Sequence, residues 1–403
     1  MTWLYRFTSV LLVLAPWGLA GAASPPAPVK IGVLTDISGY TSAIGGRGSI
    51  LAATMAVEDF GPTINGRKIE IVSADHQNKP DVGSAIARQW YNVDGVDVIV
   101  DIPNSAVSLA VQEVARNANR VVIHSAAATS LLTGKSCSPN GVHFGRDTYA
   151  TSRSIGEAVV QSGGDTWFFI TADYAFGHAL EQDVGRVVAE NGGTVVGQVR
   201  HPMNVGDFAP FLLQAQNSRA KVIALADVGE DTINAIKQAS EFGIAAGGQR
   251  LVAMSLFISD VHSLGLRMAQ GLQLVDQFYW DRNDETRAWS KRFFERQGSM
   301  PTAIQADAYN AVSHFLKAAA ISDPEDGVAV VRTMKSLPVN TPLIKNAVIR
   351  EDGRLVRDIY LLQVKSPGES TGPWDYEKIE RTVPGDQVVR PLSQSECLLV
   401  KQL

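Results

Sequence analysis

A chain of 403 residues, 45% hydrophobic and 19% charged, carries enough apolar material for two full cores, which excludes a disordered or fibrous protein. Its 36 basic and 41 acidic residues give a formal net charge of -5. No Lys/Arg-rich block stands out, so nothing in the composition fits a nucleic-acid partner.

The first 23 residues read as a secretory signal peptide. Arg6 is the only charge before Lys30, Phe7 to Leu14 is an apolar run, and small residues follow from Leu19 to Ala23. The run is short for a bilayer span, which needs roughly 20 apolar residues. Cleavage is expected after Ala22 or Ala23, and an uncleaved N-terminal anchor is the alternative. The mature protein is expected free of the membrane in an extracytoplasmic space.

A β/α alternation then begins. The pattern predicts strands at 29–34, 69–72, 96–100 and 121–123, and helices at 49–60, 81–91 and 105–118. The rhythm restarts with helices at 152–162, 177–190, 208–216 and 231–242 and strands at 167–170, 194–199, 222–225 and 251–254. Residues 284–337 read as mainly helical, and strand-like text returns at 346–349 and 359–364. Such repetition implies parallel sheets flanked by helices. No Pro/Gly/Ser-rich linker separates the two halves, so the chain is expected to cross between them more than once.

In open α/β sheets, ligands gather where strands end and helices begin. In the first half those ends carry Asn104, Ser105, Ser125 and Thr129, small polar residues beside helix N-termini suited to a carboxylate. In the second half they carry Tyr174 and Phe176, suited to an apolar or aromatic body. Each Ser, Asn or Thr can equally be an N-cap.

Catalytic motifs are weak. Gly45-Gly46-Arg47-Gly48 fits neither a dinucleotide fingerprint nor a phosphate loop. The seven histidines lack metal-ligand spacing, and no cofactor or metal is expected. His124 ends a buried strand and reads as a structural histidine or a ligand contact. Asp36 and Asp101 end neighbouring strands and read as turn or cap residues or, less simply, as a catalytic pair. The only cysteines, Cys137 and Cys397, read in an oxidising compartment as a disulfide, with two free thiols as the alternative.

Four segments, read in order, carry a resemblance: Ile31 to Gly39, Gly48 to Phe60 with Ala56-Val-Glu-Asp59, Ala172 to Gly177, and Asp231 to Gly243. The chain resembles the Leu/Ile/Val-binding family of periplasmic substrate-binding proteins of ABC transporters, over nearly all of its mature length. The resemblance implies two Rossmann-like α/β lobes with central parallel sheets joined by a three-crossover hinge, the type I periplasmic binding protein fold. Lobe 1 is expected to comprise 29–146 and 280–350, and lobe 2 147–279 and 351–403. It implies carboxylate-binding loops at Asn104-Ser105 and at Ser125 through Ala127 to Thr129, with Phe176 covering the ligand and Tyr174 beside it. The first-loop position often held by a large aromatic falls near Ile44.

Family members that bind α-amino acids usually carry an acid after the strand at 251–254, where this chain has Ser255, Leu256 and Phe257. Asp227, Glu230 and Asp231 lie one strand away and are the candidates to compensate. The sequence is also similar to the subgroup that binds aromatic or aliphatic carboxylates, which often pairs cysteines near 137 and 397. The implied function is capture of a small carboxylate, an aromatic or aliphatic acid or a branched-chain amino acid, by hinge closure. A monomer would then deliver it to a membrane permease. A sensor feeding a chemoreceptor or kinase, and a secreted hydrolase, are the rival readings.

Overall fold

The computed structural model describes residue 3 and residues 26–401, so the signal-peptide reading lies almost wholly outside the described residues. Alternating apolar stretches that are buried on both faces form a six-stranded sheet in the first lobe. Its order is Thr63–Ile64, Arg67–Asp75, Val29–Thr35, Val98–Asp101, Val121–His124, Gly141–His143. All pairings are parallel except that of the two-residue edge strand. Val29, Ile31, Val33, Val98, Val100, Val121 and Ile123 face helices Gly46–Phe60 and Ala303–Ala319 across one core.

The second lobe holds a parallel sheet ordered Arg250–Ala253, Val222–Ala226, Thr166–Ala172, Thr194–His201. Against it packs an antiparallel sheet of Gln273–Asp276, Ile359–Val364 and Glu377–Val383. Gln273–Asp276 and Glu377–Val383 are strands that hydropathy patterning overlooks. The segment read as one helix at 152–162 is a π turn, Ser152–Gly156, between short α segments.

The chain crosses between lobes three times: after His143, between Asp276 and Asp284, and between Val356 and Ile359. Buried ion pairs clasp these crossings. Arg354 Nε lies 3.3 Å from Asp147 Oδ2, and Arg357 Nη2 donates to Asp307 Oδ2 at 2.6 Å. A disulfide joins Cys137 to Cys397, 260 residues apart in sequence, and tethers the C-terminal tail that follows the second-lobe strand Glu377–Val383.

Candidate functional site

The lobes are closed on one another. Tyr40, Ile44, Ala126 and Ile304 of the first lobe share a single apolar cluster with Tyr174, Phe176, Val228 and Phe257 of the second. The first-lobe loop is held from behind by the N-terminus of helix Ala303–Ala319. Thr302 Oγ1 donates to Ile44 O at 2.6 Å, and Gln305 Nε2 to Gly45 O at 3.1 Å. A Cβ at Gly48 would collide with the Gln305 side chain, so the Gly-rich run is a packing device rather than a phosphate cradle.

Between the lobes lies a narrow cavity of about 40 Å³. Of the residues expected there, Ile44, Ser125, Tyr174, Phe176 and Ser255 line it. Ala127 does not, although its neighbours Ala126 and Ala128 do. Tyr174 and Phe176 form a tilted pair with ring centroids 5.9 Å apart. Ser125 Oγ is buried without a hydrogen-bond partner.

The other expected residues are engaged elsewhere. Asn104 Oδ1 caps helix Ser105–Ala118, accepting from the amides of Ala106 at 2.9 Å and Val107 at 3.1 Å. Ser105 Oγ accepts from the Thr129 amide at 3.3 Å. Thr129 Oγ1 accepts from the Leu131 amide at 3.4 Å. Asp227 Oδ1 accepts from Thr232 Oγ1 at 2.6 Å, and Oδ2 lies 3.7 Å from His201 Nε2. These four serve as local caps and ties behind the wall, which is the ordinary use of such residues at helix starts.

His124 is likewise structural, held between Ser108 Oγ at 3.2 Å and Gln112 Oε1 at 2.9 Å. Asp36 folds its own loop, accepting from Gly39 N at 2.7 Å, Thr41 Oγ1 at 2.6 Å and Asn78 Nδ2 at 2.8 Å. Asp101 accepts from Ser49 Oγ at 3.0 Å, and burial pushes its carboxyl up to about 7. Among the described residues no group of three or more His, Cys, Asp or Glu side chains is placed to hold a metal ion.

The hinge supplies what sequence reading did not find. Arg146, Asp276 and Gln277 line the cavity with Thr41, Pro103 and Phe257. Arg146 is buried and gives Nη1 to Thr151 Oγ1, while its Nε has no partner. Asp276 ends the overlooked strand Gln273–Asp276. Its Oδ1 accepts from the Gln277 amide at 2.9 Å, and burial raises its carboxyl to about 7 against the pull of Arg146. The acid missing after 251–254 is thus present in the cavity wall, contributed by a different strand. The sequence signal for Arg146 was a charged residue immediately after a buried strand run, in Phe144-Gly-Arg146.

Two parallel-sheet lobes, closed over a small polar-and-aromatic cavity and joined by three crossings, define a hinged, cleft-type binding protein. The chain belongs to the periplasmic binding protein family, whose profile matches residues 28–371. It is similar to a solved periplasmic binding protein of Burkholderia mallei, at 45% identity and a TM-score of 0.90, over 92% of this chain and 99% of that one. A branched-chain amino acid ABC transporter periplasmic ligand-binding protein of Burkholderia xenovorans LB400 is 36% identical, with a TM-score of 0.81, over 92% of this chain and 100% of that one. The fold is shared by an ABC transporter solute-binding protein of R. palustris in complex with benzoate, at 17% identity and a TM-score of 0.80, over 92% of this chain and 100% of that one. Among the described residues no helix is long and apolar enough to cross a membrane.

Proposed function

We propose that this chain is the periplasmic solute-binding component of an ABC importer and that it holds a small carboxylate ligand in the interlobe cavity. The observation that carries this reading is the cavity wall itself. A buried guanidinium with a free Nε, and a buried hydroxyl without a partner, face an aromatic and aliphatic surface made by Ile44, Tyr174, Phe176 and Phe257. Buried donors without partners are costly, and a carboxylate that accepts from both removes that cost. The aromatic wall suits a hydrocarbon or ring body. Ser255 and Gln277 add polar contacts, while Asn104, Ser105, Ala127, Thr129 and Asp227 hold the wall in shape.

A ligand that bridges the lobes favours the closed state by the difference between its affinities for closed and open forms. Closure changes the outer surface, which a membrane permease reads. The protein acts as a monomer and releases its ligand chemically unchanged. The chemistry of the wall and the names of the relatives both support amino acids and benzoates as the classes to test.

A thermal-shift screen of amino acids, benzoates, phenylpropanoids and short fatty or dicarboxylic acids tests the proposal, with product analysis of any hit. A true ligand raises the melting temperature because it binds only the folded state, and it is recovered intact. A panel with no shift, or conversion of the hit to product, overturns it.

A further inference from the structure

The hinge charges form a closed account. Three buried arginines meet near the crossings: Arg146, Arg354 and Arg357. Arg354 is paired with Asp147 and Arg357 with Asp307. Arg146 and Asp276 remain, both in the cavity wall, each felt by the other through the low-dielectric interior. The cavity wall therefore carries one cation and one anion, and is neutral when both are ionised.

The other charged groups near Asp276 lie outside the cavity wall. Arg357 and Asp307 cancel within their own pair. Asp260 caps helix Ile258–Leu264 through the Phe257 amide at 3.0 Å. Glu377 has an oxygen without any partner, and burial raises it to about 8, so it stays protonated near neutral pH. Burial raises Asp260 to about 7 as well, but it does not line the cavity and its carboxylate is engaged by the Phe257 amide.

A carboxylate entering beside Arg146 therefore brings a second negative charge into a space already balanced by Asp276. An uncompensated charge is disfavoured in a dry interior, and the group that can change state does so. Resting on the carboxylate reading above, we propose that Asp276 keeps the loaded cavity neutral. A ligand with both carboxylate and ammonium binds to the ionised acid. A ligand with a carboxylate alone binds together with one proton, which Asp276 takes up from solvent. The ammonium of the first class and the proton of the second are equivalent solutions to the same charge problem. Burial places Asp276 at about 7, so that proton is available at physiological pH.

The test is isothermal titration of the intact mature protein with leucine and with benzoate, in buffers of different ionisation enthalpy at about pH 7.5. The dependence of heat on buffer gives the number of protons taken up. Benzoate is expected to bind with uptake of roughly half a proton or more, and its affinity to fall by up to about tenfold per pH unit above pH 7. Leucine is expected to bind with no uptake and with release of about a quarter of a proton. Asp276→Asn is expected to abolish the uptake with benzoate and to weaken leucine at least tenfold. Either probe alone decides by its proton count, because benzoate binding without uptake, or leucine binding with it, overturns the inference while leaving the carboxylate site standing. Absence of heat with these and every other carboxylate of the screen overturns the carboxylate reading and this inference together.

Discussion

The carbonyl oxygen of Tyr40, in the first lobe, accepts a hydrogen bond from the amide of Glu230, in the second, at 3.2 Å. The contact depends on Gly229, whose φ of +67° and bare Cα let the two backbones meet. A Cβ there would lie 2.5 Å from the Tyr40 oxygen. This backbone latch fastens the cleft beside the cavity.

Gly229→Ala is expected to leave each lobe folded and to penalise closure. Its strain in the closed state should weaken ligand binding by about 1–3 kcal/mol. Titration calorimetry measures the loss. Small-angle scattering of the variant should report a larger radius of gyration with ligand present than wild type shows.

Arg146 is the buried cation of the cavity, and Arg146→Gln removes its charge while retaining part of its bulk. Loss of a charge-assisted pair inside a closed cleft costs about 2–5 kcal/mol, so affinity for a carboxylate should fall by more than an order of magnitude. Thermal stability without ligand should fall, most at a pH above about 7, since the variant leaves the buried Asp276 carboxylate without its balancing cation.

Phe176 and Asn104 separate ligand contact from helix capping. Phe176→Ala should weaken binding by more than about 1 kcal/mol, as expected for loss of an aromatic face. Asn104→Ala should lower stability by about 1 kcal/mol through loss of the cap on Ser105–Ala118, with affinity nearly unchanged. Paired calorimetry and urea melts of the two variants check the contrast.

The Cys137–Cys397 bond closes a loop of 260 residues. The chain-entropy account puts its contribution at about 5–6 kcal/mol. The double variant Cys137→Ser with Cys397→Ser should lose that much in denaturant melts, and reductant should reproduce the loss in wild type.

Stability of the ligand-free protein should fall as pH rises from about 6.5 to about 8.5. Burial holds Asp101, Asp260 and Asp276 at about 7 and Glu377 at about 8. In that window the folded state keeps protons that the unfolded chain has released, so the slope of stability against pH is negative. His76 and His143, lowered by burial to about 4 and about 3, charge only in acid and govern the opposite limb. Asp101→Asn mimics the protonated form at a residue with a φ of +81°, a region asparagine tolerates. It should flatten part of the slope and raise stability at about pH 8 by roughly 1–3 kcal/mol.

Much of this protein was legible in its residues taken in order. Val29–Thr35, Ser105–Ala118 and Ile359–Val364 stand out because a strand or helix buried on a fixed face repeats its apolar pattern at a fixed period, and local spacing encodes that directly. The β/α rhythm and the strand-end loops with Ser125, Tyr174 and Phe176 followed from the same rule. Tertiary structure alone decided which polar residues face the cavity. Asn104, Ser105, Thr129 and Asp227 have the same residue types and local settings as site residues, yet none lines the cavity: Asn104, Thr129 and Asp227 each accept from groups two to five residues on, and the Ser105 hydroxyl accepts from the Thr129 amide. Arg146 and Asp276 belong to segments with no periodic signal, 130 residues apart, and only the folding of the crossings against one another brings their charges to one wall. Periodicity is a property of near neighbours in the chain, whereas an electrostatic balance belongs to groups that meet in space.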